Sequence, residues 1–275
     1  MGPVELLATW EAGLALHGSG RALLLHRVAR PEAGTDDELL AVPVGEREAD
    51  LFALRRALFG ERMQVRTECG ACGEAMEFDL DARELGVRTV PSEGPLRVTE
   101  GEWTVEFRLP TAADLAAVAA ATDEPAADKP LALGPSALEP LAHEPSVLGS
   151  ASPADDARRR LVARCTLSAV RAGKPVPAQA LGELPEPVLR RLAEAAEQAD
   201  PTAEVTLDVR CPDCGKATPA ELDITTYLWT ELDAWARDLL LDVHLLAGAY
   251  GWSEPEVLAL SPLRRRYYLE LCADA

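Results

Sequence analysis

Leu6, Leu7, Trp10 and Leu14 recur at three- and four-residue steps through residues 4–16, which predicts an amphipathic helix. His17-Gly18-Ser19-Gly20 ends it, and residues 21–29 predict a second short helix that stops near Pro31, so the two form an α-hairpin. His17 and His26 read as surface or capping residues. Residues 31–38 are polar and read as a loop. The next apolar stripe, Leu51, Phe52, Leu54, Leu58 and Phe59, predicts a helix within residues 42–60, closed by Gly60 as a C-cap. Residues 87–98, with Pro91 and Pro95, read as a loop. Trp103, Val105, Phe107 and Leu109 then alternate with polar residues as one face of a strand. Thr111 caps a following alanine-rich helix, and Asp114 sits favourably in its first turn.

Prolines at 125, 130, 135, 140 and 145 forbid long helices and central strands in residues 122–153. That stretch reads as a flexible insertion, with a docking peptide anchored by Leu131, Leu133, Leu138, Leu141, Val147 and Leu148 as the alternative. Residues 155–172 predict a helix with Leu161, Val162, Cys165 and Ala169 inward, Cys165 being a small core residue. Another helix runs from Pro187 to Ala199. From Ile224 to Tyr250 one long helix is expected, with Tyr227, Leu228, Trp235, Leu239, Val243, Leu246 and Tyr250 on its stripe and Gly251 as its stop. Ser253-Glu-Pro-Glu256 is a capping box with Pro just inside the next helix, and Ser261-Pro262 repeats the start signal. His244 reads as a hydrogen-bonded, half-buried residue of the long helix, or as a contact to a partner.

Two stretches are copies of each other. Met63 to Asp81 and Val205 to Asp223 each hold an alternating strand, Cys-x-x-Cys-Gly, and a second strand ending in Leu-Asp. At constant offset Cys69 aligns with Cys211, Cys72 with Cys214, Gly73 with Gly215 and Leu80 with Leu222. Two thiolates two residues apart can grip one ion from one side of a tight turn, and the following Gly lets the chain leave at positive φ. A single such motif is shared with redox dithiols, but two, each flanked by strands, point to one zinc site with Cys69, Cys72, Cys211 and Cys214 as ligands. Disulfides, a redox pair and metal-free knuckles remain alternatives. Four thiolates leave no open position for water or substrate, so the expected Zn²⁺ is a single structural ion.

Composition narrows the class. The net charge of −19 opposes a phosphate backbone, so a zinc-ribbon nucleic-acid binder is the disfavoured alternative, despite Arg264-Arg265-Arg266. No run long enough for a transmembrane helix and no N-terminal signal peptide are evident. Cysteines in metal-type spacing suit a reducing cytoplasm. No nucleophile-elbow, zincin, Walker or Rossmann pattern occurs, and an enzyme is not expected.

The second knuckle and its sequel carry a resemblance. Cys211-Pro-Asp-Cys-Gly215, Leu222-Asp-Ile224 and Leu228-Trp229-Thr-Glu-Leu232 are followed by Val243-His244, Leu246-Ala-Gly-Ala-Tyr-Gly-Trp252, Val257-Leu-Ala-Leu-Ser-Pro262 and Arg264-Arg-Arg-Tyr-Tyr-Leu269. In these the chain resembles phage-baseplate-type proteins of contractile tails and extracellular contractile injection systems, related to the T4-type baseplate hub assembly chaperone family. The helix before the first knuckle and Leu109-Pro-Thr-Ala-Ala-Asp-Leu fit more loosely. The resemblance implies a non-enzymatic assembly factor or chaperone for a baseplate or hub, a permanent baseplate component being the alternative, with baseplate or hub proteins as partners.

The expected fold is α+β, a helical domain whose two knuckles meet as a split zinc ribbon although about 140 residues separate them, with a long C-terminal helix followed by short ones. The expected parts are an N-terminal helical part (1–60), a first knuckle with strand and helix (61–121), the insertion (122–153), a helical part (154–204), the second knuckle (205–224) and a C-terminal helical part (225–275). Trp229, Trp235, His244, Trp252, Arg264, Arg265, Arg266 and Tyr267 are the candidate partner surface, since aromatics and Arg concentrate at interface hot spots.

Overall fold

A computed structural model describes residues 2–86, 94–121 and 153–273, so the proline-rich insertion lies outside the described residues apart from its last position. The chain begins with α1 (Pro3–Gly13) and α2 (Ser19–Ala29). Leu6, Leu7 and Trp10 are buried as the helical spacing requires, whereas Leu14 lies beyond the end of α1 and is exposed. The polar stretch that follows is not all loop. Thr35 accepts a hydrogen bond from the Glu38 N–H and starts α3 (Asp36–Leu40), whose three acidic residues suit a helix N-terminus. Then comes α4 (Val44–Phe59), ended by Gly60 at φ 87°. Its stripe buries Leu51 and Phe52, and also Arg55, whose guanidinium donates to the carbonyls of Gly60 at 2.7 Å and Arg62 at 2.8 Å.

The first hairpin is β1 (Arg62–Glu68) with β2 (Ala75–Asp81), closed by the short α5 (Ala82–Leu85). Next come β3 (Leu96–Glu100) and β4 (Trp103–Phe107), then α6 (Ala112–Ala121) and α7 (Pro153–Cys165). Two expectations are corrected here. The residues read as loop up to Val98 contain the start of β3. The helix expected over 155–172 ends at Cys165, and Thr166–Arg171 is a strand, β5, paired with β4. Cys165 and Ala169 lie four residues apart and are both inward-facing, so their spacing fits a helix. The β-branched Thr166 and Val170, and the Ala172-Gly173 turn at φ 48° and 77° leading into β6 (Lys174–Pro175), settle the matter for a hairpin.

A 3-10 turn at Ala178–Glu183 leads to α8 (Glu186–Ala199), then the second hairpin, β7 (Thr206–Arg210) with β8 (Ala217–Glu221). The long α9 (Ile224–Tyr250) starts and stops where the sequence places it, and α10 (Glu254–Leu258) and α11 (Pro262–Ala273) follow. The Ser253 capping box forms, Ser253 donating both its N–H and its hydroxyl to the Glu256 carboxylate.

The chain divides into two compact units, one of the described residues up to Leu25 and from Thr225 on, the other of His26–Ile224. In the second unit the sheet ordered β3-β4-β5-β6 packs Val98, Val105, Phe107 and Ala169 against Leu184, Val188, Leu189 and Leu192. Each Val, Leu or Phe side chain so removed from water contributes about 1.5–3 kcal/mol. The same unit buries polar groups. His26, expected at the surface, is buried, with Nε2 3.2 Å from Asp50 Oδ2, and Arg30 binds Asp50 and Glu46.

Asp200, at the end of α8, accepts from the Gly45 N–H at 2.9 Å and so caps α4. Its carboxylate fills the space a Cβ on Gly45 would take. Gly45→Ala is therefore expected to lower stability by about 1–3 kcal/mol in urea unfolding. An unchanged midpoint would show that the capping contact is dispensable.

In the other unit the Trp10 indole N–H donates to Asp233 Oδ1 at 2.8 Å. The Trp229 ring lies against Gly13 where a side chain would go, and the Arg21 guanidinium sits 4.5 Å above its centroid.

Candidate metal centre

Each hairpin positions its pair of cysteines by the same backbone device. The Cys69 N–H donates to the Glu74 carbonyl at 2.8 Å and the Gly73 N–H to the Cys69 carbonyl at 2.9 Å. In the second hairpin Cys211 donates to Lys216 at 2.9 Å and Gly215 to Cys211 at 3.0 Å. Gly73 and Gly215 take φ of 75° and 70°, the left-handed region where a Cβ is strained, and each chain then turns back into its return strand. The glycine after each second cysteine is thus explained by geometry.

The two turns face each other. The sulfurs of Cys69, Cys72, Cys211 and Cys214 all lie within 4.8 Å of one another. Across the two hairpins, Cys69 to Cys214 and Cys72 to Cys211 are each 3.6 Å apart. A tetrahedral ion with metal–sulfur bonds of about 2.3 Å requires sulfur–sulfur edges of about 3.8 Å, so the four fit one ion. All are free thiols, far outside disulfide bonding distance. Cys69 and Cys211 are buried and pack with Met76 and Val209, while Cys72 and Cys214 are exposed.

The crowded thiols do not share one protonation behaviour. The backbone N–H groups of Ala71, then Cys72, pull the Cys69 thiol down to about 6. At Cys72 the Glu74 backbone hydrogen bond acts downward, but the hydrogen bonds shared with Cys69, Cys211 and Cys214 outweigh it and push the thiol up to about 12. Metal ligation requires thiolates, so binding an ion at these sulfurs would release protons.

Sequence reasoning missed Thr218, whose hydroxyl donates to the Cys69 sulfur at 3.7 Å. It occupies the position aligned with apolar Met76 in the other copy, and a hydroxyl at that inward strand position was the available signal. The network of Asp114 was also missed as such. Asp114, 1% exposed, accepts from Arg108, Arg164 and both the N–H and hydroxyl of Thr111. Burial, and then the Asp114 charge, push the nearby Cys165 thiol up to about 11, so Cys165 is an inert core thiol remote in chemistry from the four others.

The candidate partner residues are not all on a surface. Trp229 is buried, and Arg265 is buried and paired with Asp242 at 3.6 Å. Trp235 is half-buried. Trp252 is half-buried, stacked on Tyr250 at 4.7 Å and edge-on to Tyr268 at 4.9 Å. His244, Arg264, Arg266 and Tyr267 are exposed, so the half-buried reading of His244 does not hold.

Residues 31–226 match the family described as T4 bacteriophage base plate protein. The chain belongs to that family. The matched residues of this base plate protein contain both hairpins and all four cysteines, and they end near the start of α9. Most of the segment in which the resemblance was read lies beyond them. No curated protein and no solved structure matched. Among the described residues of the base plate protein, no helix is long and apolar enough to cross a membrane.

Proposed function

We propose that this base plate protein is a non-enzymatic assembly factor of the baseplate or hub of a contractile particle, held in its working shape by one structural Zn²⁺. The observation that carries the reading is the convergence of four thiols, from hairpins whose cysteines stand 139 and 145 residues apart, in a member of a base plate family. Cys69, Cys72, Cys211 and Cys214 hold the ion, and Thr218 steadies one of the sulfurs. Four thiolates complete the shell, so the metal clasps two distant parts of one unit and offers no site to a substrate. The partners are other baseplate or hub proteins. The strongly acidic chain suits protein contacts and disfavours nucleic acid.

A second reading, a permanent baseplate subunit, is favoured by the family's description as a base plate protein. Mass spectrometry of purified extended and contracted particles from cells producing a tagged chain separates the two. An assembly factor is found with free hub or baseplate subunits and is missing from finished particles. Fixed stoichiometry in finished particles would make it a subunit, and absence from both fractions would remove the baseplate role.

A further inference from the structure

The four cysteines of the candidate metal centre differ in their access to water. Cys69 and Cys211 are each 2% exposed, whereas Cys72 and Cys214 lie open to solvent. Each hairpin therefore holds one covered sulfur and one that solvent reaches. The close contacts pair the two kinds across the hairpins. Exposed Cys214 lies 3.6 Å from buried Cys69, and exposed Cys72 lies 3.6 Å from buried Cys211. The two crossed pairs share no sulfur, so both can react in one molecule.

A thiolate that solvent reaches is the one a small oxidant reaches, and its sulfenic acid condenses with a second thiol held beside it. Here an exposed sulfur to be oxidised and a shielded one to condense with it occur together twice. A disulfide is about 2.05 Å long, so each crossed pair has about 1.5 Å to close. The fold gives the pairing its consequence. Each hairpin is a separate two-stranded sheet, so no strand pairing joins them. A disulfide within one Cys-x-x-Cys would leave the hairpins unlinked once the ion is gone. A disulfide between hairpins keeps them joined, across 145 residues for Cys69 and Cys214 and 139 for Cys72 and Cys211. Cross-links that close long loops restrict the unfolded chain most.

We propose that Cys72 and Cys214 are oxidation sites, through which peroxide replaces the metal clasp by a covalent one, Cys69–Cys214 and Cys72–Cys211. The inference rests on the Zn²⁺ reading above. Each exposed thiolate attacks one oxygen of hydrogen peroxide, the O–O bond breaks, and the other oxygen leaves as water after taking up a proton. The buried thiolate opposite then attacks that sulfur, and the oxygen it carried leaves as a second water. Each pair thus consumes one peroxide and two protons, gives two waters, and loses two electrons to the peroxide. With both pairs oxidised no thiolate remains for the ion, which departs as Zn²⁺.

The test is titration of the full zinc-loaded chain with hydrogen peroxide. Zinc release is followed with a chromogenic chelator, disulfides are mapped by mass spectrometry of non-reduced peptides, and folding is followed by circular dichroism melting. About two peroxides are expected to be consumed per zinc released, with peptides joined through Cys69–Cys214 and Cys72–Cys211. The oxidised, metal-free chain is expected to keep a cooperative melting transition. Dithiothreitol added without zinc should then abolish that transition, as a chelator alone does to the unoxidised chain. Disulfides confined to Cys69–Cys72 and Cys211–Cys214 overturn the inference, as do sulfinic acids at Cys72 and Cys214 or zinc retained through the titration. So does an oxidised chain that melts like the chelated one. Zinc content measured before oxidation judges the metal reading separately. Zinc-free starting protein that still forms both crossed disulfides would overturn that reading and uphold the covalent clasp.

Discussion

Replacing Cys211 with Ser is expected to abolish metal retention and to unfold the His26–Ile224 unit at temperatures where the wild type is folded. The two hairpins pair within themselves and never with each other, since neither sheet extends beyond its two strands. Their shared apolar contact is a small cluster of Cys69, Met76, Cys211 and Val209. So small an apolar patch offsets little of the cost of closing a loop of this length, and the proposed Zn²⁺ would supply much of the difference. Structural zinc sites provide about 10–16 kcal/mol of apparent binding energy, as large as the whole stability of about 5–15 kcal/mol of a typical domain. Circular dichroism melting with parallel zinc analysis checks this, and a melting curve unchanged by Cys211→Ser would remove the clasp from the account. Cys165→Ala is the contrast. It trims a buried thiol away from the four, so a modest loss of about 1 kcal/mol with full zinc content is expected.

The second large effect is expected at Asp114→Ala. This carboxylate receives hydrogen bonds from Arg108 Nη2 at 2.9 Å, Arg164 Nε at 3.3 Å, and Thr111 N and Oγ1 at 3.0 and 2.9 Å. It ties α6 to the end of α7 and to the strand before α6. Removing one partner of a buried pair typically costs about 3–5 kcal/mol, because the other charge is stranded. Arg108 and Arg164 keep 40% and 46% of their side-chain exposure, so water can take them over and the loss here is expected near 2–3 kcal/mol.

The pH dependence gives the sign. Hydrogen bonding to Arg108, and further bonds from Thr111, hold the Asp114 carboxyl well below the usual carboxylate range against the opposing effect of burial. A carboxyl with a depressed folded pKa contributes stability that is complete above its unfolded value of about 3.9 and is lost as pH falls toward the folded value. Urea unfolding should therefore show the full gap between wild type and Asp114→Ala near pH 6, narrowing below about pH 4. A gap that widens on acidification would contradict the ion-pair explanation.

What was legible in the sequence was local or repeated. The two Cys-x-x-Cys-Gly hairpins declare themselves because the motif and its flanking strands occur twice. The long helix α9 is bounded correctly because Asp223-Ile224 and Gly251 mark its ends and its stripe is long. The capping box at Ser253 is a property of four adjacent residues. What was not legible depends on partners far along the chain. Thr166–Arg171 is a strand because β4, some sixty residues earlier in sequence, offers it a ladder, as Val105 opposite Ala169 shows. His26 is buried because Asp50 and its surroundings receive it, and Arg265 because Asp242 lies against it. Residue type alone would put each of these polar groups at the surface.

The same dependence explains the divided fate of the candidate partner residues. Trp229 and Arg265 were grouped with Tyr267 and Arg266 by composition, yet the first two face inward and the last two outward. On α11, Arg265 and Arg266 are neighbours in sequence but 100° apart around the helix, so a run of arginines cannot all share one role.

Zinc K-edge X-ray absorption on the chain purified under reducing conditions tests the central claim most directly. The account predicts one zinc per chain with four sulfur neighbours at about 2.3 Å. Metal-free protein, or a first shell containing oxygen or nitrogen, would contradict it.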